Sequence, residues 1–221
     1  MKKIPRLLVL LSTTSGIALL SAVPAQGQQG RFYVRGDLGG NLTQDTELKE
    51  FFGPVAPGSK VKFDPGVRFG VAAGFHVTDW FSAEGETGII ANSIDSITGA
   101  SRVDATFSNV PFLVNARFQC PRPCRLTPYV GGGLGVSAAI LDADRITLGG
   151  TSIRGSDSDG VFAYQGFAGL RCKLNYNMGL SLEYRYFGAD SPRWEGDFRA
   201  GNIHFGRTET HSLSIAFDFS F

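Results

Sequence analysis

Residues 67–89 read VRFGVAAGFHVTDWFSAEGETGI, and their alternation decides the fold class. Val67, Phe69, Val71, Ala73, Phe75 and Val77 fall on one parity, against Arg68, Gly70, Ala72, Gly74 and His76 on the other. A side-chain period of two is that of a β-strand. After Thr78–Trp80 the alternation resumes, with Phe81, Ala83, Thr87 and Ile89 opposing Ser82, Glu84, Glu86 and Gly88. Two such runs separated by three residues make a hairpin.

The same period recurs on either side. Upstream, Phe32, Val34, Leu38 and Leu42 oppose Tyr33, Arg35, Asp37 and Asn41. Downstream come VPFLVNARF (110–118), PYVGGGLGVSAAI (128–140), FAYQGFAGLRCKL (162–174), LSLEYRYF (180–187) and a final HSLSIAFDFSF ending at Phe221. The count is eight strands. Their connections alternate in length: about twenty residues (43–63), three, about fifteen, about eight, about twenty (141–160), three, and about eighteen (188–205).

Composition narrows the class. The chain has 221 residues, 43% hydrophobic, with 21 Lys+Arg against 20 Asp+Glu. That is too apolar for disorder, and a formal charge of +1 supplies no field to gather a polyanion such as nucleic acid. Three Cys and two Met exclude a disulfide scaffold and a Met-rich groove. At the amino terminus, Lys2, Lys3 and Arg6 precede an apolar stretch from Leu7 to Val23, and Val23-Pro24-Ala25 offers small residues for cleavage. This predicts a signal peptide over 1–25 and a single domain over 26–221, exported from the reducing cytosol. No later stretch is long and apolar enough for a spanning helix, so a membrane-embedded state requires a closed barrel.

Alternation alone does not say which face is buried. A soluble sandwich or lipocalin-like barrel hides its apolar side. Here the apolar face stays nearly free of charge in all eight runs, as lipid contact demands, since Lys or Arg there costs ~2–4 kcal/mol at the bilayer midplane. Short turns at one end and long loops at the other complete the up-and-down layout of an outer-membrane barrel. The expectation is an all-β, eight-stranded antiparallel transmembrane barrel with short periplasmic turns and long extracellular loops.

VPFLVNARF, PYVGGGLGV, AYQGFAGL, LEYRYF and the aromatic-alternating end resemble the small outer-membrane β-barrel proteins of Gram-negative bacteria, the group of opacity-type surface antigens and the OmpA-like transmembrane barrel. The resemblance covers about residues 30–221. It implies residence in the outer membrane, a structural or surface-antigen role and handling by periplasmic chaperones and the barrel-assembly machinery. It also implies that Phe217, Phe219 and Phe221 match the terminal assembly signal.

By parity the lumen receives Arg35, Arg68, Arg117, Arg171, Lys173 and Arg185, with Asp37, Glu84, Glu86, Glu183 and Asp218. An eight-stranded barrel has room only for its own side chains, so these are expected to form an ion-paired plug and leave the lumen largely closed. Glu84 and Glu86 share one strand face, as an acid-base pair would, but neighbouring cations make them structural. His76, His204 and His211 are scattered, with no metal-ligand spacing. No cofactor, metal or nucleic-acid partner is expected, and a monomer in outer-membrane lipid is.

Two alternatives to a structural role arise. A lipid-hydrolysing barrel needs Ser, His and a carboxylate together, yet His211 and Ser212 point to opposite strand faces and Ser214 lies off the parity of Glu209 and His211. A loop-mediated adhesin or haem or host-ligand binder would use exposed Phe51, Phe52 and Trp194 as contacts for an unidentified surface ligand; packing on the barrel rim is the competing reading. Gly131, Gly132, Gly133 and Gly135 precede a β-rich run rather than a helix, so they read as lumen packing, not a phosphate loop. Cys120 and Cys124, within CPRPC, could close a small disulfide, and Cys172 is an alternative partner.

Overall fold

The computed structural model describes residues 31–51, 53–121, 125–148, 151–194 and 202–221. The expected leader 1–25, Phe52 and Cys124 lie outside the described residues. Those described form twelve strands: β1 (Phe32–Thr43), β2 (Thr46–Phe51), β3 (Lys60–Phe63), β4 (Gly66–His76), β5 (Phe81–Ile97), β6 (Ala100–Gln119), β7 (Leu126–Leu148), β8 (Thr151–Lys173), β9 (Met178–Ala189), β10 (Arg193–Trp194), β11 (Ile203–Phe205) and β12 (Thr208–Ser220). Among the described residues there is no helix.

Eight strands close a ring. β1 pairs β4, then β5, β6, β7, β8, β9 and β12 follow in order, and β12 returns antiparallel to β1 with Tyr33 opposite Ser220 and Thr43 opposite Thr210. Closure leaves the ring without an edge, which hydrocarbon would not tolerate. The outside is apolar and the inside charged: Val114 is 70% exposed and Ile215 60%, whereas Arg68 and Arg185 are each 1% exposed. That is the orientation expected of a membrane barrel and the reverse of a soluble one.

The expected long loops are strand-rich. β7 and β8 run on through 141–148 and 151–160, where the sequence pattern placed a loop, and β5 and β6 meet at a tight turn in which Gly99 (φ +82°) takes the left-handed conformation. The reason is a switch of polarity at constant parity. Along β5 the inward residues change from Glu84 and Glu86 to Ile90 and Ile94, while the outward ones change from Ala83 and Ile89 to Ser93 and Asp95. A rule that seeks apolar residues outside stops reading at the bilayer edge, although the strand continues.

The two remaining long connections supply the rest of an upper storey. β3 pairs β5, β2 pairs β3, β11 pairs β2 and β10 pairs β11, so a second wall arcs away from β5. It returns to the barrel through Trp194, whose indole N–H donates to the Ala139 carbonyl at 3.0 Å, and through the Arg193 N–H, which donates to Asp159 Oδ2 at 2.8 Å.

Leu182 sits half exposed on the outer wall, paired with Ile215 and Leu170. Leu182→Arg is expected to cost about 2–4 kcal/mol in reversible urea unfolding from phosphatidylcholine vesicles; a near-neutral result would mean that this wall faces water.

Candidate functional site: a two-tier lumen

The strand pleat puts every second side chain into the lumen, and within the bilayer those side chains are ionic. At the short-turn end Asp218 lies opposite Arg35 in register; it takes Arg117 Nη1 at 3.5 Å, Arg171 Nε at 3.4 Å and the Ser181 hydroxyl at 3.1 Å. Arg117 also donates to Glu84 Oε1 at 3.2 Å, and its guanidinium lies 3.8 Å from the Tyr129 ring centroid. The Tyr33 hydroxyl donates to the same Glu84 oxygen at 2.5 Å, and the Tyr129 hydroxyl to Glu183 Oε2 at 2.9 Å. Arg35 Nη2 sits 2.6 Å from Glu183 Oε1.

One level up, Glu86 is the hub. Its Oε1 accepts from Arg68 Nη2 and Arg185 Nη1, both at 2.5 Å, and its Oε2 accepts from Asn115 Nδ2 at 2.7 Å and Gln165 Nε2 at 2.9 Å. Arg185 reaches Glu183 as well, with Nη2 at 2.5 Å and Nε at 3.2 Å, while Arg68 Nε meets Asp37 Oδ2 at 3.1 Å. Five guanidinium groups thus meet five carboxylates, a neutral set. Each buried ion would cost several kcal/mol alone, so mutual pairing is what permits the set to exist.

Of the residues assigned to the lumen by parity, ten join this network. Lys173 does not. It lies on the expected parity but beyond the rim, exposed, with Nζ 5.5 Å from the Tyr176 ring centroid. Parity gives the direction of a side chain but not its depth, and the last inward position of β8 already sits in water. Arg171, 20% exposed at the side chain, marks the edge of the buried set. The neutral links Tyr33, Tyr129, Asn115, Gln165 and Ser181 were not singled out from sequence; their inward parity is the signal that could have found them.

Glycine makes the room. A Cβ at Gly133 would fall 1.9 Å from Asn115 Oδ1, and one at Gly131 would fall 2.3 Å from the Phe167 ring, so the glycine run is a packing device for the long side chains opposite.

Above the ions lies a belt of small polar groups. Thr43 Oγ1 donates to Asn92 Oδ1 at 2.9 Å and contacts Thr210 Oγ1 at the same distance, and Ser137 donates to Asn109 at 3.2 Å. Around and above this belt the lumen turns apolar. Ile90, Ile94, Phe107, Leu113, Leu141, Ile146 and Phe187 from the barrel strands pack with Leu48, Phe51, Val61, Trp194, Ile203 and Phe205 from the added wall. Trp194 meets Phe205 edge-on at 5.0 Å between centroids, and Phe107 meets both.

This corrects the expectation for the outer contacts. Phe51 and Trp194, read as exposed loop aromatics, are 7% and 1% exposed and belong to this core. Rim packing, the competing reading, describes them better, though they fill the lumen and do not lie on the girdle. Phe217 and Phe221 are exposed on the outer wall at the short-turn end, with the Phe219 ring 5.1 Å from that of Phe221. Cys172 lies on β8 and Cys120 directly after the end of β6, with β7 between them, and the two are not bonded to each other. Among the described residues no group of His, Cys, Asp and Glu is arranged to hold a metal ion.

A closed antiparallel barrel with hydrocarbon-facing walls and a neutralised ionic lumen is an integral membrane barrel. The family described as "Outer membrane protein beta-barrel domain" matches residues 11–221, and the chain belongs to it; its place is the outer membrane. Three solved structures share the fold. Neisserial surface protein A aligns at 16% identity and a TM-score of 0.55, covering 86% of this chain and 97% of its own. The outer membrane protein OprG of Pseudomonas aeruginosa aligns at 15% and 0.58, covering 88% and 97%. AlkL, solved in DMPC bilayers, aligns at 19% and 0.54, covering 88% and 92%. Among curated proteins no match is found.

Glu86→Gln removes the carboxylate shared by Arg68 and Arg185 and is expected to destabilise the barrel by about 3–5 kcal/mol in urea unfolding. Lys173→Met, at a position parity cannot distinguish from Arg171, is expected to change stability by less than about 0.5 kcal/mol.

Proposed function

We propose that this chain is a non-catalytic, monomeric outer-membrane barrel with a closed lumen and a structural or surface-antigen role, its outer storey being the part presented to the surroundings. The observation that carries this reading is the stacking of two seals of different chemistry. The ionic tier fills the bilayer-level lumen, and the apolar core of Phe107, Trp194 and Phe205 closes it from above. An ion entering from outside would have to leave water for a dry core before meeting any counter-charge, and one entering from the other side would have to break paired ions.

The His and Ser residues weighed for a hydrolytic role on β12 are not brought together. His211 spends both ring nitrogens on Tyr184 and Gln44, at 2.6 and 2.8 Å, and not on a serine. The five carboxylates of the lumen are each met by guanidinium groups, which supports a structural use over an acid-base one. Surface recognition, where it occurs, falls to the polar outer face of the storey, including exposed Asp95, Asp104, Asp142, Asp144, Arg145 and Arg154. Lipid around the wall, chaperones and the assembly machinery reading Phe217, Phe219 and Phe221 are the partners this proposal includes.

Planar-bilayer recording tests the closed lumen. The protein is expected to give no steady conductance, and a stable open channel of the native chain would sink the reading. Trp194→Ala is expected to lower stability by about 3–5 kcal/mol while leaving the barrel non-conducting, because the ionic tier remains.

A further inference from the structure

The ionic tier is neutral as a whole but not level by level. Toward the short turns Arg35, Arg117 and Arg171 lie with Glu84 and Asp218, and the third carboxylate within their reach, Glu183, is shared with Arg185. Hydrogen bonding is uneven in the same sense. Arg35 Nε and Nη1 and Arg117 Nε and Nη2 are buried with no acceptor in hydrogen-bond geometry, against one unmet acceptor among the described residues of this level, Glu84 Oε2. A buried N–H without an acceptor is costly, and a charged one more so.

Arg117 is the clearest case. Its Nη1 alone serves Glu84 and Asp218, at 3.2 and 3.5 Å, while the Tyr129 ring covers one face of the guanidinium. Nε and Nη2 lie along one edge of the planar group, the edge that grips two oxygens of a single anion, and here that edge is unused. The residue is 2% exposed, so bulk water does not serve it either.

The way in is from the short-turn end. Arg117 stands two residues before the end of β6 and in register with Ser82, at the start of β5. Arg171, partly exposed, lies at the entrance, folded against β9 where a Cβ at Gly179 would fall 2.4 Å from its Nε. Among the described residues, the exposed charged side chains that flank this mouth are Arg31, Arg125 and Lys173 against Asp79. The field there is positive and gathers anions. The opposite mouth is closed by the apolar core.

We propose that the short-turn end of the lumen binds a small inorganic oxyanion of the sulfate or phosphate class, with Arg117 Nε and Nη2 as its clamp, Arg35 as a second donor and Arg171 as the cation at the entrance. An oxyanion supplies what this level lacks, which is negative charge together with two acceptor oxygens for one fork edge; a halide supplies the charge with a single acceptor. The anion goes no further, because the next level presents Glu86 and Asp37, each already held by Arg68. The inference rests on the outer-membrane placement and leaves the lumen closed, so conductance recording and the test below fail independently.

Equilibrium dialysis of the protein, folded in uncharged maltoside micelles, against radiolabelled sulfate is the test. Saturable binding of a single sulfate per chain is expected, displaced by inorganic phosphate and not by chloride at matched ionic strength. Arg117→Lys keeps the charge but removes the fork, and is expected to weaken binding about tenfold. Arg171→Gln is expected to weaken it about threefold, and Val114→Leu on the outer wall to leave it unchanged. Heat-modifiable gel migration identifies the folded variants, and Arg171→Gln decides the matter if Arg117→Lys does not fold. Absence of saturable binding, displacement by chloride as readily as by phosphate, or full sulfate affinity in either folded arginine variant would overturn the proposal.

Discussion

Pairing of charge inside a hydrocarbon-coated ring is the interaction on which the rest depends. A strand that crosses a bilayer must show apolar side chains to lipid at every second position, and this chain does so from Phe32 to Leu42 and again through Leu213, Ile215 and Phe217. The intervening positions then have a single destination. In a ring of eight strands that destination is narrow and nearly dry, so Arg35, Arg68, Arg117, Arg171 and Arg185 are tolerable only because Asp37, Glu84, Glu86, Glu183 and Asp218 arrive from other strands to meet them. The glycines of β7 belong to the same solution, since their missing side chains leave the space that Asn115 and Phe167 occupy.

The strands do not end where the membrane does. Beyond the ionic tier the same inward parity carries Ile90, Phe107, Leu141 and Phe187, and the outward parity carries Asp95, Asp104 and Asp142. In hydrocarbon the polar groups go in; in water they go out. One continuous ladder of hydrogen bonds therefore serves two solvents, with the belt of Thr43, Asn92, Asn109, Ser137 and Thr210 at the change-over. The added wall of β3, β2, β11 and β10 is needed only in the upper half, where an interior of Phe and Ile must be covered from water.

Much of the membrane half was legible residue by residue. Alternation in 67–77 and 81–89, with charge confined to one parity, gave strand, facing and closure, and it assigned eleven ionic residues to the lumen, of which ten meet in the network. It misjudged Lys173 because parity carries no information on depth. It also read 141–160 as a loop and left Phe51 and Trp194 between exposed contacts and rim packing, because the rule of apolar residues outside reverses at the boundary, and nothing local to those residues marks where the boundary falls. The neutral links were visible only as inward positions, since a Tyr or Gln announces no partner by itself.

What the sequence determined alone is therefore the facing of each bilayer-crossing strand, because a two-residue period and the exclusion of charge from lipid act locally on every strand. Which carboxylate meets which guanidinium was decided by the tertiary structure, for Glu86 collects Arg68, Arg185, Asn115 and Gln165 from four different strands, and only ring closure fixes their heights. The capping of the lumen was decided there too. Trp194 becomes a buried seal, and not a surface anchor, only once β10 is carried across the barrel mouth to the Ala139 carbonyl.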